Sequence, residues 1–338
     1  MPEGRVAAKS PQERLLERIL GALASDEANE MAEDGGAVVL VEPFERRNAH
    51  GFHHSLQRAG AGGCEMKTAV VGHLEVVEFA RVERVPHPGE IIHVRESWSE
   101  PAGGGAVAAV RISELTDEAM FFTAFGDDEL GHRAEAKLHE AQMRLECVYR
   151  DEPQRRGFTF LDDDGERTIS VIGRKLAPRG DDPLPWDELD DTGGVYFTGG
   201  DPAALRQARR ARVLVASARE LPTLEEAQVE LDVLIQSGSD PGERYQPGDL
   251  DPAPRMVVTT EGRGGGHFAA GDHKGRWEAA PLPGPPADAY GAGDSFAAAL
   301  ALALGEGRPP DEALAFAARC AAYAMTVRGA FDGRFRLS

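Results

Sequence analysis

Asp288-Ala289-Tyr290-Gly291-Ala292-Gly293-Asp294-Ser295-Phe296 runs straight into the apolar stretch Ala297 to Leu304. Small residues let the backbone turn tightly and bring its N–H groups close to a ligand. The apolar stretch reads as a helix, so those N–H groups stand at its positive end and form an anion site. Asp294 is a carboxylate beside that site, placed to take a proton from a hydroxyl attacking a phosphate. Oxyanion support and a base within one short loop suit phosphoryl transfer.

Upstream of this loop the chain alternates strand and helix. Gly194 to Thr198, Val213 to Ala216, Val233 to Ile235 and Met256 to Thr260 read as strands. Pro202 to Ala211 reads as a helix, and Thr223-Leu224-Glu225-Glu226 fits a capping box opening the next one. Pro310 and Asp311 open a last helix running through Met325, with Gly329 as its cap. Strands spaced by helices imply a parallel sheet covered on both faces.

The first half adds Thr68 to Val71, Leu74 to Val85, Ile91 to Val94 and Ala119 to Phe125 as strands, with helices over Val107 to Leu115 and Arg133 to Arg144. Gly157 to Leu161 and Arg167 to Ile172 flank Asp162-Asp163-Asp164-Gly165, a hairpin pattern. Residues 1–65 differ. An amphipathic helix over Pro11 to Ala24 is followed by acidic and Gly-rich sequence without periodicity, so this extension is expected to be largely disordered. The main domain is expected over residues 66–338.

The 338 residues are 41% hydrophobic and 28% charged, which fits a globular protein. The net charge of −20 argues against nucleic acid as a partner, because binding its phosphates needs a basic surface. No run of about 18 apolar residues predicts a membrane span, and the first residues lack a signal-peptide core. Cys64, Cys147 and Cys320 are scattered, which points to a reduced, cytoplasmic protein.

Other motifs carry less. Gly103-Gly104-Gly105-Ala106-Val107-Ala108 fits a dinucleotide fingerprint loosely, but no apolar strand precedes it. No G-x-x-x-x-G-K-[ST] occurs. His50, His53 and His54 lack a second cluster to make a metal site.

The segment Asp288 to Asp294 resembles the D-T-x-G-A-G-D signature of the ribokinase-like (PfkB) carbohydrate kinases, with Ala289 at the Thr position. Phe125-Gly126-Asp127-Asp128-Glu129-Leu130-Gly131 resembles the family's V-G-D-D-x-x-G, and Pro86-His87-Pro88-Gly89-Glu90 its P-x-P-G-E. The resemblance implies a three-layer α/β/α fold with a mostly parallel central sheet. It also implies a small β lid from residues near 74–97 and 155–172. It implies ATP as phosphoryl donor, Mg²⁺, and a sugar-like acceptor.

Asp294 is then the catalytic base, with Gly291, Ala292 and Gly293 holding the moving phosphate. Val258-Thr259-Thr260-Glu261-Gly262-Arg263-Gly264-Gly265 resembles a nucleotide-side motif, which assigns Thr260, Gly262 and Gly265 to the nucleotide. Gly103 and Gly104 match the glycines that pack on the sugar. By the same resemblance Ser237 and Asp240 replace an N-x-x-E motif, which makes Asp240 a water-mediated contact to the metal. A dimer through the lid strands follows by analogy.

Three positions depart from the family pattern. Val77 stands where Asp is expected, Val107 where Asn is expected, and Glu75 replaces another Asn. An acceptor hydroxyl facing Val loses its partner, at about 1–3 kcal/mol for each buried group. The resemblance then leaves three readings of this side: an acceptor that is less polar there, Glu75 as the replacement contact, or a Glu75 that with Glu78 only faces solvent. Arg156, near the hairpin with Arg155 and Arg174, is a cation for an anionic group. Two other readings stand beside the sugar kinase. One is a nucleoside kinase using Phe79 and Trp98 as a platform; the other is a nucleotide- or sugar-binding regulator without catalysis.

Overall fold

The computed structural model describes residues 66–163 and 167–332. The readings made for residues 1–65 and for Asp164-Gly165 lie outside them. The strands are β1 (Lys67–Val71), β2 (Glu75–Arg81), β3 (Glu96–Ala102), β4 (Ala119–Gly126), β5 (Arg144–Arg150), β6 (Arg156–Leu161) and β7 (Arg167–Ile172). They continue with β8 (Thr192–Phe197), β9 (Val213–Ser217), β10 (Val233–Ser237), β11 (Met256–Thr260), β12 (Gly266–Ala270) and β13 (His273–Trp277). The α-helices are α1 (Gly103–Ser113), α2 (Glu129–Leu138), α3 (Pro202–Ala208), α4 (Leu221–Ala227), α5 (Ala292–Gly305) and α6 (Pro310–Ala324).

Among the described residues, nine strands form one sheet in the order β13-β12-β11-β10-β9-β8-β1-β4-β5. From β11 to β5 every pairing is parallel, and β12 and β13 add an antiparallel margin. Fully buried, mostly apolar strands such as Ala119–Gly126 are those expected when both faces are covered. On one face Val71, Phe122, Val195, Phe197 and Leu214 pack with Leu205, Leu224 and Trp186. The Trp186 ring stacks on Phe122 at 5.1 Å.

The other face carries α5, with α1 and α6 beside it. From Ser295 to Gly305 α5 is buried on every side, as its unbroken apolar sequence requires. Each of Phe296, Leu300, Leu302 and Leu304 contributes roughly 1.5–3 kcal/mol by burial. No helix among the described residues is long and apolar enough to cross a membrane.

A second sheet, in the order β3-β2-β6-β7, forms the lid. The β6–β7 hairpin matches expectation, but the lid is larger than expected and includes Glu96–Ala102. Ile91 to Val94 is not a strand; Ile91 is 92% exposed, and among the described residues no strand pairs with this stretch. The polar stretch before Gly103 is the strand instead. Its alternate residues Trp98 and Glu100 turn toward the protein while Ser97 and Ser99 face solvent. This strand is antiparallel to β2 and outside the parallel sheet, so the dinucleotide reading stays excluded for a different reason.

Smaller corrections are local. The helix expected from Thr223 starts at Leu221, with Pro222 in its first turn and no side-chain cap. Proline's fixed φ supplies that start. Gly329 does not cap α6, whose C-cap is Met325. Gly329 instead lies against Glu100, where a β-carbon would meet the carboxylate. Asp128 caps α2, accepting from the Gly131 amide at 2.8 Å.

Glu100 is buried on β3 and accepts from the Ala330 amide at 3.0 Å. Burial pushes its pKa from 4.5 to about 7, aided by Asp332 and Asp288 and opposed by that amide and Arg111. The folded state therefore holds this proton more tightly than the unfolded chain. Its stabilising contribution is complete below about pH 4.5 and is lost as pH rises through about 7. Glu100→Gln is expected to flatten the loss of stability across that window, a difference of the order of 3 kcal/mol. Urea titrations of both proteins at pH 5 and pH 8 check this.

Candidate active site

The carboxyl ends of the parallel strands share one edge of the large sheet, and the chemistry-bearing residues gather there. Gly72 and His73 follow β1, Thr198 follows β8, Ala218-Arg219-Glu220 follow β9, and Ser237 and Thr260 end β10 and β11. Ligands of open α/β sheets bind outside these ends.

Gly291 opens α5 with φ 74°, the left-handed region that glycine enters without strain. A β-carbon here would also fall 2.4 Å from Cγ1 of Val107. Val107 is thus a buried support for the turn. The Ala292 amide turns back to the Ala289 carbonyl at 3.5 Å, and the Ser295 amide bonds Gly291 O at 2.8 Å. Among the described residues, the amides of Gly293 and Asp294 donate to nothing. Space beside Gly293 is open: a β-carbon there would meet no atom within 4 Å. Two unpaired first-turn amides, with open space beside Gly293, meet the requirement of an anion site.

Asp294 is half-buried in this first turn. The Tyr196 hydroxyl donates to its Oδ1 at 3.1 Å. Desolvation raises the Asp294 pKa, while the Arg219 charge and the Tyr196 hydrogen bond pull the other way. Some of its surface meets solvent, yet the protein around the carboxyl removes most of its water. A raised carboxyl is a better proton acceptor than a solvated one. Tyr196→Phe removes a bond that favours the carboxylate. The acid limb of the pH–rate profile is therefore expected to move to higher pH, which initial-rate measurements across pH would detect.

α1 brings its glycines to the same place. A β-carbon on Gly104 would lie 2.9 Å from Oδ1 of Asp294 and 2.8 Å from Oγ1 of Thr198. The Gly103 amide donates to the Tyr290 hydroxyl at 3.1 Å. Glu75 is buried rather than facing solvent, and its Oε2 accepts from Arg155 Nε at 2.9 Å. His73, buried between these groups, is held neutral: burial first, then the Lys175 and Arg155 charges, lower its pKa to about 3.

The lid covers this floor with one face. Val77, Phe79, Gly157 and Thr159 share it, as do Ile169 and Val171. Val77 is fully buried, 2.9 Å from the place a Gly157 β-carbon would take. Arg167 reaches from β7 to the Ala289 carbonyl at 2.5 Å. Arg156, expected as a substrate contact, alternates with Gly157 and lies exposed on the opposite face. Arg155 and Arg167 instead lie on the inward side. Phe79 stacks on Trp98 at 5.0 Å and meets Tyr290 edge-on at 5.0 Å. This packing fills the aromatic platform that a nucleoside base would need.

The structure thus joins Gly291, Ala292, Gly293, Asp294, Gly103, Gly104 and Glu75 in one cleft. Thr260, Gly262 and Gly265 form a turn further along the edge. There the Glu261 amide bonds Gly265 O at 2.9 Å and the Gly238 amide bonds Thr260 O at 2.8 Å. Asp240 lies between the two regions. Its carboxylate accepts from the Gly242 amide at 2.8 Å and from Arg219 at 3.2 Å. Residues unforeseen from sequence are Tyr196, Thr198, Arg167, Arg219 and Glu243.

Residues 66–228 and 245–333 match the profile of the pfkB family carbohydrate kinases. The chain belongs to that family. It is a kinase, moving a phosphoryl group from ATP to an alcohol. This pfkB-family kinase is 23% identical over 290 residues to a ribokinase of Arabidopsis thaliana, covering 77% of this chain and 76% of that protein. It is 28% identical over 281 residues to an ATP-dependent ribose-1-phosphate kinase of Halopiger xanaduensis, covering 77% and 92%. Among solved structures, a putative ribokinase from Agrobacterium tumefaciens superposes with a TM-score of 0.66 at 19% identity, over 80% of this chain and 94% of that one. An Arabidopsis thaliana ribokinase complexed with ribose and ATP gives 0.59 at 22%, over 79% and 95%. At these identities the structural likeness establishes the ribokinase-like fold alone.

Proposed function

We propose that this kinase phosphorylates a hydroxyl of a sugar or sugar-like molecule, with Asp294 as general base and ATP bound along the strand ends. The observation that carries the reading is the meeting of three things at one point. These are the Asp294 carboxylate, the unpaired amides of Gly293 and Asp294, and the side-chain-free Gly104 beside them. An acceptor lying over Gly103 and Gly104 would present its hydroxyl to Asp294. The triphosphate would place its terminal phosphorus before the α5 amides. Thr260, Gly262 and Gly265 would flank the nucleotide further along the edge.

Ribokinase and ribose-1-phosphate kinase relatives favour a pentose-like acceptor. Val77 and Val107 change how it would sit. Both are buried and apolar, so polar recognition moves to Glu75, Arg155 and the glycine backbone. Mg²⁺ would supply charge neutralisation on the phosphates. Among the described residues no three His, Cys, Asp or Glu converge on one point, and Asp240 is already bonded to Arg219 and Gly242. The described residues therefore offer no cage, and the ion would be held by phosphates and water.

ADP release against a panel of pentoses, hexoses, their phosphates and nucleosides tests the reading, with Asp294→Asn as control. One acceptor should raise ADP release far above the acceptor-free rate, and the Asn variant should not respond. A panel without any stimulation, or equal stimulation in the variant, contradicts it. Ile169, Val171 and Ile172 expose apolar side chains on the lid's edge strand, which favours pairing of two lids into a dimer. Light scattering tests that separately.

A further inference from the structure

Arg219 was no part of the motifs read from sequence. It follows β9 by two residues, and Ser217 Oγ accepts its amide at 3.2 Å, which fixes the turn. Ala216 of β9 pairs with Phe197 of β8. The chain beyond Ser217 therefore emerges beside Thr198, next to the Tyr196–Asp294 pair. Two carboxylates hold the guanidinium. Nε donates to Glu243 Oε1 at 2.7 Å, Nη2 donates to Asp240 Oδ2 at 3.2 Å, and Nη2 makes a second contact with Glu243.

This pairing leaves a donor free. Nη1 has no partner among the described residues, and the side chain is 58% exposed. Glu243, by contrast, is only 14% exposed. An ordinary surface ion pair leaves both partners mobile and is worth little. Here a part-buried carboxylate and a strand-end turn hold Nε and Nη2 of a planar fork, while Nη1 stays unpaired among the described residues. Arg219 is also the strongest opposite charge acting on the Asp294 carboxyl.

We propose that Arg219 is a catalytic cation: its guanidinium, aimed by Glu243 and Asp240, binds non-bridging oxygens of the phosphoryl group while it moves. The assignment presupposes that transfer occurs beside Asp294. In the step, the acceptor O–H gives its proton to the Asp294 carboxylate. The acceptor oxygen forms a bond to the terminal phosphorus. The bond from that phosphorus to the β–γ bridging oxygen breaks, and its electron pair leaves on ADP. Arg219 gains and loses no proton; it donates hydrogen bonds to the equatorial oxygens opposite the Gly293 and Asp294 amides. A planar fork suits that geometry better than a point charge. Glu243 and Asp240 act through Arg219 and are positioning residues.

Arg219→Lys and Arg219→Ala test this with the best acceptor from the panel, at a pH above the acid limb. Both are expected to lose about a hundredfold in kcat, the loss typical of removing one oxyanion donor. ADP affinity by calorimetry should stay within a few-fold, because ADP lacks the transferred group. Added guanidinium ion should restore part of the Arg219→Ala turnover. Glu243→Gln should lower kcat less, and added guanidinium should not rescue it. Wild-type kcat in Arg219→Lys overturns the proposal. So does a parallel loss of ADP affinity and kcat, which marks ground-state nucleotide binding only. If Asp294→Asn also turns over normally, the general-base reading falls with it; if only the Arg219 variants stay normal, this assignment alone falls.

Discussion

Replacing Asp294 by Asn is expected to lower kcat by at least about a hundredfold while leaving ADP binding nearly unchanged. Asn keeps the volume and one oxygen for the Tyr196 hydroxyl, but it cannot accept the acceptor's proton. General-base help is typically worth about 10²–10⁴-fold. The Gly293 and Asp294 amides belong to the backbone, so the anion site survives the change. Steady-state kinetics with a saturating acceptor, beside calorimetry with ADP, separates the two effects. Turnover near the wild-type rate removes Asp294 from the base role.

Gly105→Ala is expected to damage stability and activity together. A β-carbon there would lie 2.5 Å from the His73 carbonyl oxygen and 2.9 Å from the Gly72 carbonyl carbon. Both are backbone atoms at the end of β1, and the Gly105 amide itself bonds His73 O at 3.1 Å. Neither chain can yield without shifting α1 off the sheet. Overpacking of this kind costs about 1–3 kcal/mol, or several degrees in Tm for a domain of this size. Because α1 also carries Gly104, the same shift moves the floor beside Asp294. Gly104→Ala makes the contrast. Its new methyl would press on the ends of the Asp294 and Thr198 side chains, so kcat should fall while Tm changes by much less. Thermal melts and kinetics of the pair check both statements.

The site was legible where chemistry is local in sequence. Gly291 to Asp294 lie in one turn, and the apolar run behind them has no reading except a buried helix. The lid hairpin was equally clear from its alternating strands. Long-range pairing was harder. Glu96–Ala102 is polar because only one face of a lid strand is covered, so its alternation of Trp98 and Glu100 with serines was missed. Arg144–Arg150 is an edge strand interrupted by the charged Arg144, Glu146 and Arg150, and Gly266–Ala270 and His273–Trp277 are short margin strands with Gly and His in each. Their pattern resembles loop.

Side-chain direction failed for a related reason. A one-residue choice of strand phase decides whether Arg155 or Arg156 faces the cleft, and sequence does not set that phase in a mixed strand. Tyr196 reaches Asp294 across 98 positions and Arg219 reaches Glu243 across 24. Neither pairing leaves a local signature. One signal was available for Arg219: it lies just past the apolar strand Val213 to Ala216, at the carboxyl end where this class of sheet binds ligands.

The most direct test of the central claim is a crystal structure with ADP, aluminium fluoride and the acceptor found in the panel. The account predicts the fluoride, which stands in for the phosphoryl group in transfer, within hydrogen-bond reach of the Gly293 and Asp294 amides. It also predicts the acceptor oxygen in contact with the Asp294 carboxylate. Finding the fluoride away from the start of α5, or another side chain holding the acceptor hydroxyl, would contradict it.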